Sequence, residues 1–324
     1  MKKIYIFTLI CIIIIIVLSI VLYKIFTREN FTNENENKKK EKALLILYGE
    51  SFREAMELER KRDTETGYKL QKEASNTHIK LCDMLNTEYN IETELLITTY
   101  ETKFEKDLKE WYNKYNTNFI FKKFTDSKNT QETNNKILHE NITEAILSKE
   151  KVNDYKFILL TRMDIYIKQP FYELFDANWN KIMFISKQFS PCKYYGFDIN
   201  GDPLVNQTIL FIPNKYINIV KNELYLYRHE LWSILKKNTK ITNNDMDFMS
   251  NKSFDADSYK DKNDYYYMVG RPENTIQHNT EDIDRTFIGK KREEIDNIIT
   301  PEEREKCNNF KYEWQNDFHV MNNV

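Results

Sequence analysis

Arg162 and Asp164 stand two residues apart in Ile158–Lys168 (ILLTRMDIYIK), and at that spacing both side chains leave an extended segment on the same side. A carboxylate can hold a hard divalent cation and a guanidinium can meet phosphate, so together they suit a metal-bound diphosphate. Gly49-Glu50-Ser51-Phe52-Arg53 combines one of only six glycines, which lets backbone approach a ligand, with an arginine able to reach phosphate. Thr98-Thr99-Tyr100-Glu101-Thr102 sets hydroxyls beside a ring that can stack on a base. An isolated R-x-D is ordinarily an ion pair, and G-E-S-F-R taken alone is turn chemistry. What favours a functional role for Arg162 and Asp164 is their place directly after the most apolar run of the chain. Asp245/Asp247 and Asp255/Asp257 imitate a D-x-D metal motif more closely, but neither pair follows a buried strand; Asp255/Asp257 is the fallback metal site. No Walker-type loop and no G-x-G-x-x-G occurs.

Several elements must position these residues. Ala43–Tyr48, Glu94–Tyr100, Phe119–Phe121 and Tyr155–Thr161 are short apolar runs, the form of strands covered on both faces of a parallel sheet. Helical spacing separates them, over about Tyr68–Leu85, over Phe104–Tyr115, and at Ile137, Leu138, Ile142, Ala145 and Ile146. Strands and helices alternating in this way predict an α/β domain with a mostly parallel sheet. Two more runs, Lys181–Ser186 and Thr208–Ile212, precede one helix over about Asn214–Lys237; beyond Thr242 loops and a short aromatic strand are expected. In an open α/β sheet ligands bind outside the carboxyl ends of the strands, where the three candidate stretches lie.

The chain has 324 residues, 48 Lys+Arg against 50 Asp+Glu, and a net charge of -2. That balance lacks the basic footprint a nucleic-acid binder needs, so nucleic acid is excluded as an expected partner. Ile4–Tyr23 holds 20 uncharged residues, enough to cross a bilayer, with an insertion free energy of roughly -5 to -9 kcal/mol. Its bulky, basic exit Tyr23-Lys24-Ile25-Phe26-Thr27-Arg28 lacks a small-residue cleavage site, which predicts an uncleaved signal-anchor over residues 1–28. Residues 29–41 are polar and charged and read as a flexible stalk, leaving 42–324 as one α/β domain. Lysines on both sides of the span leave orientation open by charge. A two-residue tail ahead of a strong anchor favours a type II protein whose domain is lumenal or extracellular. Four N-x-S/T sequons, at Asn30, Asn141, Asn206 and Asn251, are what chance gives at this Asn content, and Cys82, Cys192 and Cys307 match no zinc or redox spacing.

Anchor, stalk and an α/β domain carrying LLILYGESFR, LLITTYET, ILLTRMDIYIK and NQTILFIPNKY resemble, in that order, a membrane-anchored glycosyltransferase of the GT-A fold. The resemblance implies a single Rossmann-type domain that moves sugar from a nucleotide-sugar donor to a glycan or protein acceptor, in the Golgi or ER lumen. It implies Mn²⁺ or Mg²⁺ as cofactor, with Asp164 and the late His278 as metal ligands. Gly49, Arg53, Thr99, Tyr100, Arg162 and Lys168 would contact the donor. A carboxylate near the acceptor hydroxyl would act as base; of Asp198, Asp202, Asp245 and Asp255, Asp202 is the choice. The chain departs from the family pattern in having Tyr166 two positions after Asp164 where a second Asp is usual. Either the metal is held less well or Arg162 and Lys168 neutralise the leaving diphosphate. That departure also supports a second reading, a membrane-tethered α/β domain that binds glycans or a protein without catalysis.

Overall fold

A computed structural model describes residues 40–55, 60–124, 154–187, 202–206, 208–224, 230–250 and 267–269, with isolated positions elsewhere. The chain divides into two units, residues 1–40 and 41–324. Among the described residues no helix is long and apolar enough to cross a membrane. The expected span Ile4–Tyr23 lies outside the described residues except at Leu18 and Ser19.

In the second unit, β1 (Glu41–Tyr48) buries six consecutive side chains, Ala43 to Tyr48, as a strand covered on both faces must. A hairpin of β2 (Arg53–Ala55) and β3 (Arg60–Arg62) follows. Next come α1 (Glu65–Glu88), β4 (Ile91–Tyr100), α2 (Glu105–Trp111), β5 (Asn116–Lys122) and β6 (Tyr155–Arg162). After β6 the order is β7 (Ile165–Ile167), α3 (Gln169–Leu174), β8 (Ile182–Phe184), β9 (Ile209–Pro213), α4 (Asn214–Val220), α5 (Leu231–Asn238), β10 (Met246–Phe248) and β11 (Tyr267–Val269).

Among the described residues seven strands form one sheet in the order β10-β8-β9-β6-β1-β4-β5. β5, β4, β1 and β6 are parallel neighbours; β9 runs opposite, between β6 and β8, and β8 is parallel to β10. The fold is therefore α/β with a mostly parallel mixed sheet. Counted by chain order, the parallel part reads 3-2-1-4, one half of a doubly wound Rossmann-type sheet, and its order reverses between β1 and β6. Side chains alternate across the sheet, so Ala43, Leu45 and Leu47 join Leu81, Leu85, Leu108 and Phe171 in one core. Leu44 and Ile46 join Ile217, Trp232 and Phe248 in the other.

α1 carries the load on the first of these faces. Its N-cap Thr64 accepts from Gly67 N at 3.0 Å, and Glu65 in the first turn complements the helix dipole. Its buried stripe mixes apolar residues with Gln71, Ser75, Thr77 and His78. His78 Nδ1 lies 2.8 Å from the Tyr112 hydroxyl, and burial pushes the imidazole down to about 4, so it is neutral at physiological pH.

One expectation is corrected. Among the described residues the helix foreseen over Asn214–Lys237 is two helices, α4 and α5: α4 gives way to turns after Val220, where Glu223 N donates to Val220 O at 2.8 Å in place of a helical i to i−4 bond. Tyr216, Ile217, Val220 and Leu224 nonetheless stay buried in the same core, which is why the apolar period reads as continuous.

Candidate functional site at the sheet switch point

The carboxyl ends of β1 and β6 lie side by side where the strand order reverses, the place an open α/β sheet offers a ligand. Met163 N donates to Tyr48 O at 2.7 Å and Gly49 N to Thr98 O at 3.2 Å, so the ends of β6, β1 and β4 remain joined as the strands stop. The chain then turns sharply out of β1. Gly49 has φ +112, a conformation L side chains rarely adopt, and Phe52 has φ +54.

Gln71 of α1 secures both turns. Its Oε1 accepts from Phe52 N at 3.3 Å and its Nε2 donates to Met163 O at 2.9 Å, with the side chain 3% exposed. Thr77, two turns further along α1, accepts from Ile167 N at 3.0 Å, so the helix grips the Arg162–Ile167 segment at both ends. Gln71→Leu is expected to leave one buried donor and one buried acceptor unpaired, costing about 1–3 kcal/mol in thermal unfolding. The same change should weaken ligand binding at the two turns. Gln71→Glu, which keeps the acceptor for Phe52, should cost less in the β1 turn than in the β6 turn.

Arg162 grips Asp164 in a two-pronged fork, Nε to Oδ1 at 2.8 Å and Nη2 to Oδ2. The Arg162 side chain is 27% exposed and that of Asp164 11%. Asp164 and Arg53 line one shallow depression with Gly67, Leu70 and Gln71, too small to enclose a whole ligand. Arg53 also faces Glu50 at 3.9 Å, and Glu50, with its side chain 8% exposed, faces Arg62 at 3.2 Å. Among the described residues, Arg53, Arg62 and Arg162 thus meet Glu50 and Asp164 at this end of the sheet.

The predicted residues separate accordingly. Gly49, Arg53, Arg162 and Asp164 come together. Thr99 is fully buried and serves the turn, accepting from Ser51 N at 3.2 Å and donating to Ser51 Oγ at 2.9 Å. Tyr100, expected to stack on a base, is 2% exposed and carries the Arg62 guanidinium 5.3 Å from its ring centroid. Lys168 follows β7 at the start of α3, is 5% exposed and does not line the pocket. Asp202 is 5% exposed and accepts from Lys236 of α5. Its segment runs beside the carboxyl end of β8, where Asn206 N donates to Ser186 O at 3.0 Å, so Asp202 shares the sheet edge of the site but lies strands away. His278, Asp198, Asp255 and Asp257 lie outside the described residues.

Asp245 and Asp247 are at the other edge of the sheet, at the start of β10, which runs parallel to β8 and so to β6. Asp245 closes a capping box with Thr242, and hydrogen bonds from Thr242 and Tyr216 hold its carboxyl below the usual range. Asp247 faces Lys181 at 3.5 Å. Both are structural acids.

The Mn²⁺ or Mg²⁺ implied by the resemblance needs several oxygen ligands or a carboxylate open to it. Asp164 gives both oxygens to Arg162, and among the described residues no three His, Cys, Asp or Glu side chains come together. The described residues do not by themselves assemble a divalent-cation site, and His278, Asp255 and Asp257 lie outside them. Glu50, Arg62 and Gln71 were not singled out from the sequence, although all three build the site.

No protein-family model and no curated protein matches this sequence. Solved structures with a similar chain trace include 4-diphosphocytidyl-2C-methyl-D-erythritol synthase from Anaerococcus prevotii, at 14% identity and TM-score 0.34, covering 64% of this chain and 87% of that one. TarS of S. aureus follows at 13% identity and TM-score 0.39, covering 70% of this chain and 36% of that one. The galactosyltransferase LgtC, solved with donor and acceptor sugar analogues, gives 10% identity and TM-score 0.32, covering 63% and 72%. The chain thus spans about a third of TarS. Overlaps of this size leave the fold to rest on the chain's own strand order.

Proposed function

We propose that the chain is a glycosyltransferase that takes a nucleotide-sugar donor at the β1–β6 switch point and passes the sugar to a glycan or protein acceptor. The observation that carries this reading is the convergence of the Gly49–Arg53 turn and the Arg162–Asp164 turn, linked through Met163 N, Tyr48 O and Gln71. Breaking a sugar–phosphate bond develops negative charge on the leaving diphosphate, and donors fixed beforehand at that position lower the barrier. Arg162, locked by Asp164, and Arg53, facing the same pocket, supply such donors. The Asp202 carboxylate, at the same sheet edge, would take the acceptor's proton. A signal-anchor over residues 1–28 would tether the domain on the lumenal side.

A second reading has its own observation. Asp164 and Asp202 are each engaged by a cation, Arg162 and Lys236, which is what a binding domain without catalysis would also show. Incubating the full chain in detergent micelles with a panel of UDP-, GDP- and CDP-sugars and mixed glycan and peptide acceptors separates them. Release of nucleoside diphosphate with labelled acceptor supports transfer. Donor binding without release supports the binding domain, and neither binding nor release sinks the nucleotide-sugar reading.

A further inference from the structure

We propose that Glu50 and Arg62 are positioning residues for Arg53: Arg62, anchored to the end of β4, holds the Glu50 carboxylate, and that carboxylate sets the direction of the Arg53 guanidinium at the edge of the depression. The proposal deepens the nucleotide-sugar reading of the switch point, on which it rests, by assigning what prepares Arg53 to meet an anion there.

The β2–β3 hairpin sets the problem. Its register places Arg53 directly opposite Arg62, and like charges facing each other across an antiparallel pair destabilise it. Glu50 resolves it: one carboxylate oxygen lies 3.2 Å from Arg62 Nε and the other 3.9 Å from Arg53 Nη1. All three side chains are largely buried, with Glu50 8%, Arg53 10% and Arg62 16% exposed, so salt and water screen these pairs little. The order of dependence follows from what else holds each group. Arg62 Nη2 donates to Glu101 O at 3.1 Å just beyond β4, and the guanidinium lies 4.4 Å from the Phe124 ring centroid and 5.3 Å from that of Tyr100. The residue that ends the hairpin is tied to the same place, since the Asp63 carboxylate accepts from the Thr102 hydroxyl and Asp63 N donates to Phe52 O at 3.0 Å. Arg62 is therefore the fixed end of the row, and Arg53, which lines the depression with Asp164, is the end a ligand reaches. Glu50 and Arg53 have further contacts, so loss of the carboxylate is expected to redirect Arg53 rather than release it.

Isothermal titration of the full chain in detergent micelles with UDP, GDP and CDP, in Mn²⁺ so that affinity is read whatever the site's need for metal, tests the proposal. Glu50→Gln removes a negative charge from beside an anion site at nearly constant shape. If the carboxylate only lay nearby, its removal would raise diphosphate affinity. A positioning role predicts the opposite sign, a fall of about tenfold, the lower end of what a hydrogen bond to a charged group is worth. Arg53→Ala should give a similar or larger fall, and Glu50→Gln should cause no further loss in the Arg53→Ala chain, because it acts through that guanidinium. Arg62→Lys, which keeps the charge and gives up the planar contacts, should also weaken binding. Should the glutamine variant fail to fold, Glu50→Asp keeps the charge but not the reach and should weaken binding in the same way. Affinity that rises or holds in a folded Glu50→Gln chain would overturn the proposal, as would equal losses from Glu50→Gln with and without Arg53; either result would leave the nucleotide-sugar reading standing. No binding of any of the three by the parent chain would remove that reading and the proposal with it.

Discussion

Asp164→Ala is expected to reduce transfer by roughly a hundredfold while leaving the domain folded. The carboxylate is the tether that orients Arg162, through hydrogen bonds to Nε and Nη2. Without it the guanidinium loses the two hydrogen bonds that orient it, and a misplacement of about 1 Å at a reacting centre can cost about 10² in rate. The stability cost should be modest, about 1–3 kcal/mol for charge-assisted hydrogen bonds, because Arg162 at 27% exposure can recover water when its partner leaves. Asp164→Asn distinguishes an orienting carboxylate from a metal ligand. The amide oxygen still accepts one guanidinium N–H, so an orienting role predicts partial activity, insensitive to EDTA. Equal loss in the Ala and Asn variants, together with Mn²⁺-dependent binding in the parent, would make Asp164 a metal ligand.

Gly67→Ala should destabilise the protein, against the usual sign for this substitution in a helix. Alanine ordinarily improves on glycine by about 1 kcal/mol within a helix. Here a Cβ at position 67 would sit 2.4 Å from the carbonyl oxygen and 2.8 Å from the carbonyl carbon of Phe52. The carbonyl cannot easily retreat. It accepts from Asp63 N at 3.0 Å, Phe52 N is bound to Gln71, and the fully buried Phe52 ring packs against Tyr68, Phe104 and Trp111. Overpacking of this kind costs about 1–3 kcal/mol, occasionally more, and in a domain of this size should lower the melting temperature by several degrees. Because the displaced group is the β1 turn itself, nucleotide affinity should fall as well. A Tm that rises in the Ala variant would mean that α1 does not press on the β1 turn as described.

How legible all this was in the sequence depended on burial. β1, β4 and β6 are buried on both faces, so their apolar runs are continuous and their strand character plain. The strand-end rule then pointed directly to Gly49, Arg53, Arg162 and Asp164. The β2–β3 hairpin was invisible because three-residue strands of REA and RKR carry no apolar pattern. Gln71 was missed for a different reason, since a glutamine in a helical stretch reads as solvated. The signal lay in the spacing: Gln71, Ser75, His78, Cys82 and Leu85 fall on one helical face at intervals of three and four, and all are buried. Polar residues interrupting an apolar face imply buried partners, here the two turns of the site. Tyr100 and Thr99 were placed correctly at a strand end, but alternation alone could not show that Arg62 and Ser51 would take up their polar and aromatic surfaces. Asp245 and Asp247 imitate a D-x-D motif by spacing alone, and spacing does not reveal at which edge of a sheet a strand begins.

The measurement that bears most directly on the switch-point site is photolabelling of the full-length chain with a nucleotide-sugar carrying an azide on its base, followed by peptide mapping. Label on peptides containing Gly49–Arg53 or Arg162–Asp164, displaced by the unlabelled nucleoside diphosphate, is the predicted result. Displaceable label confined to peptides from α4, α5 or β5, with both turns unmodified, would contradict it.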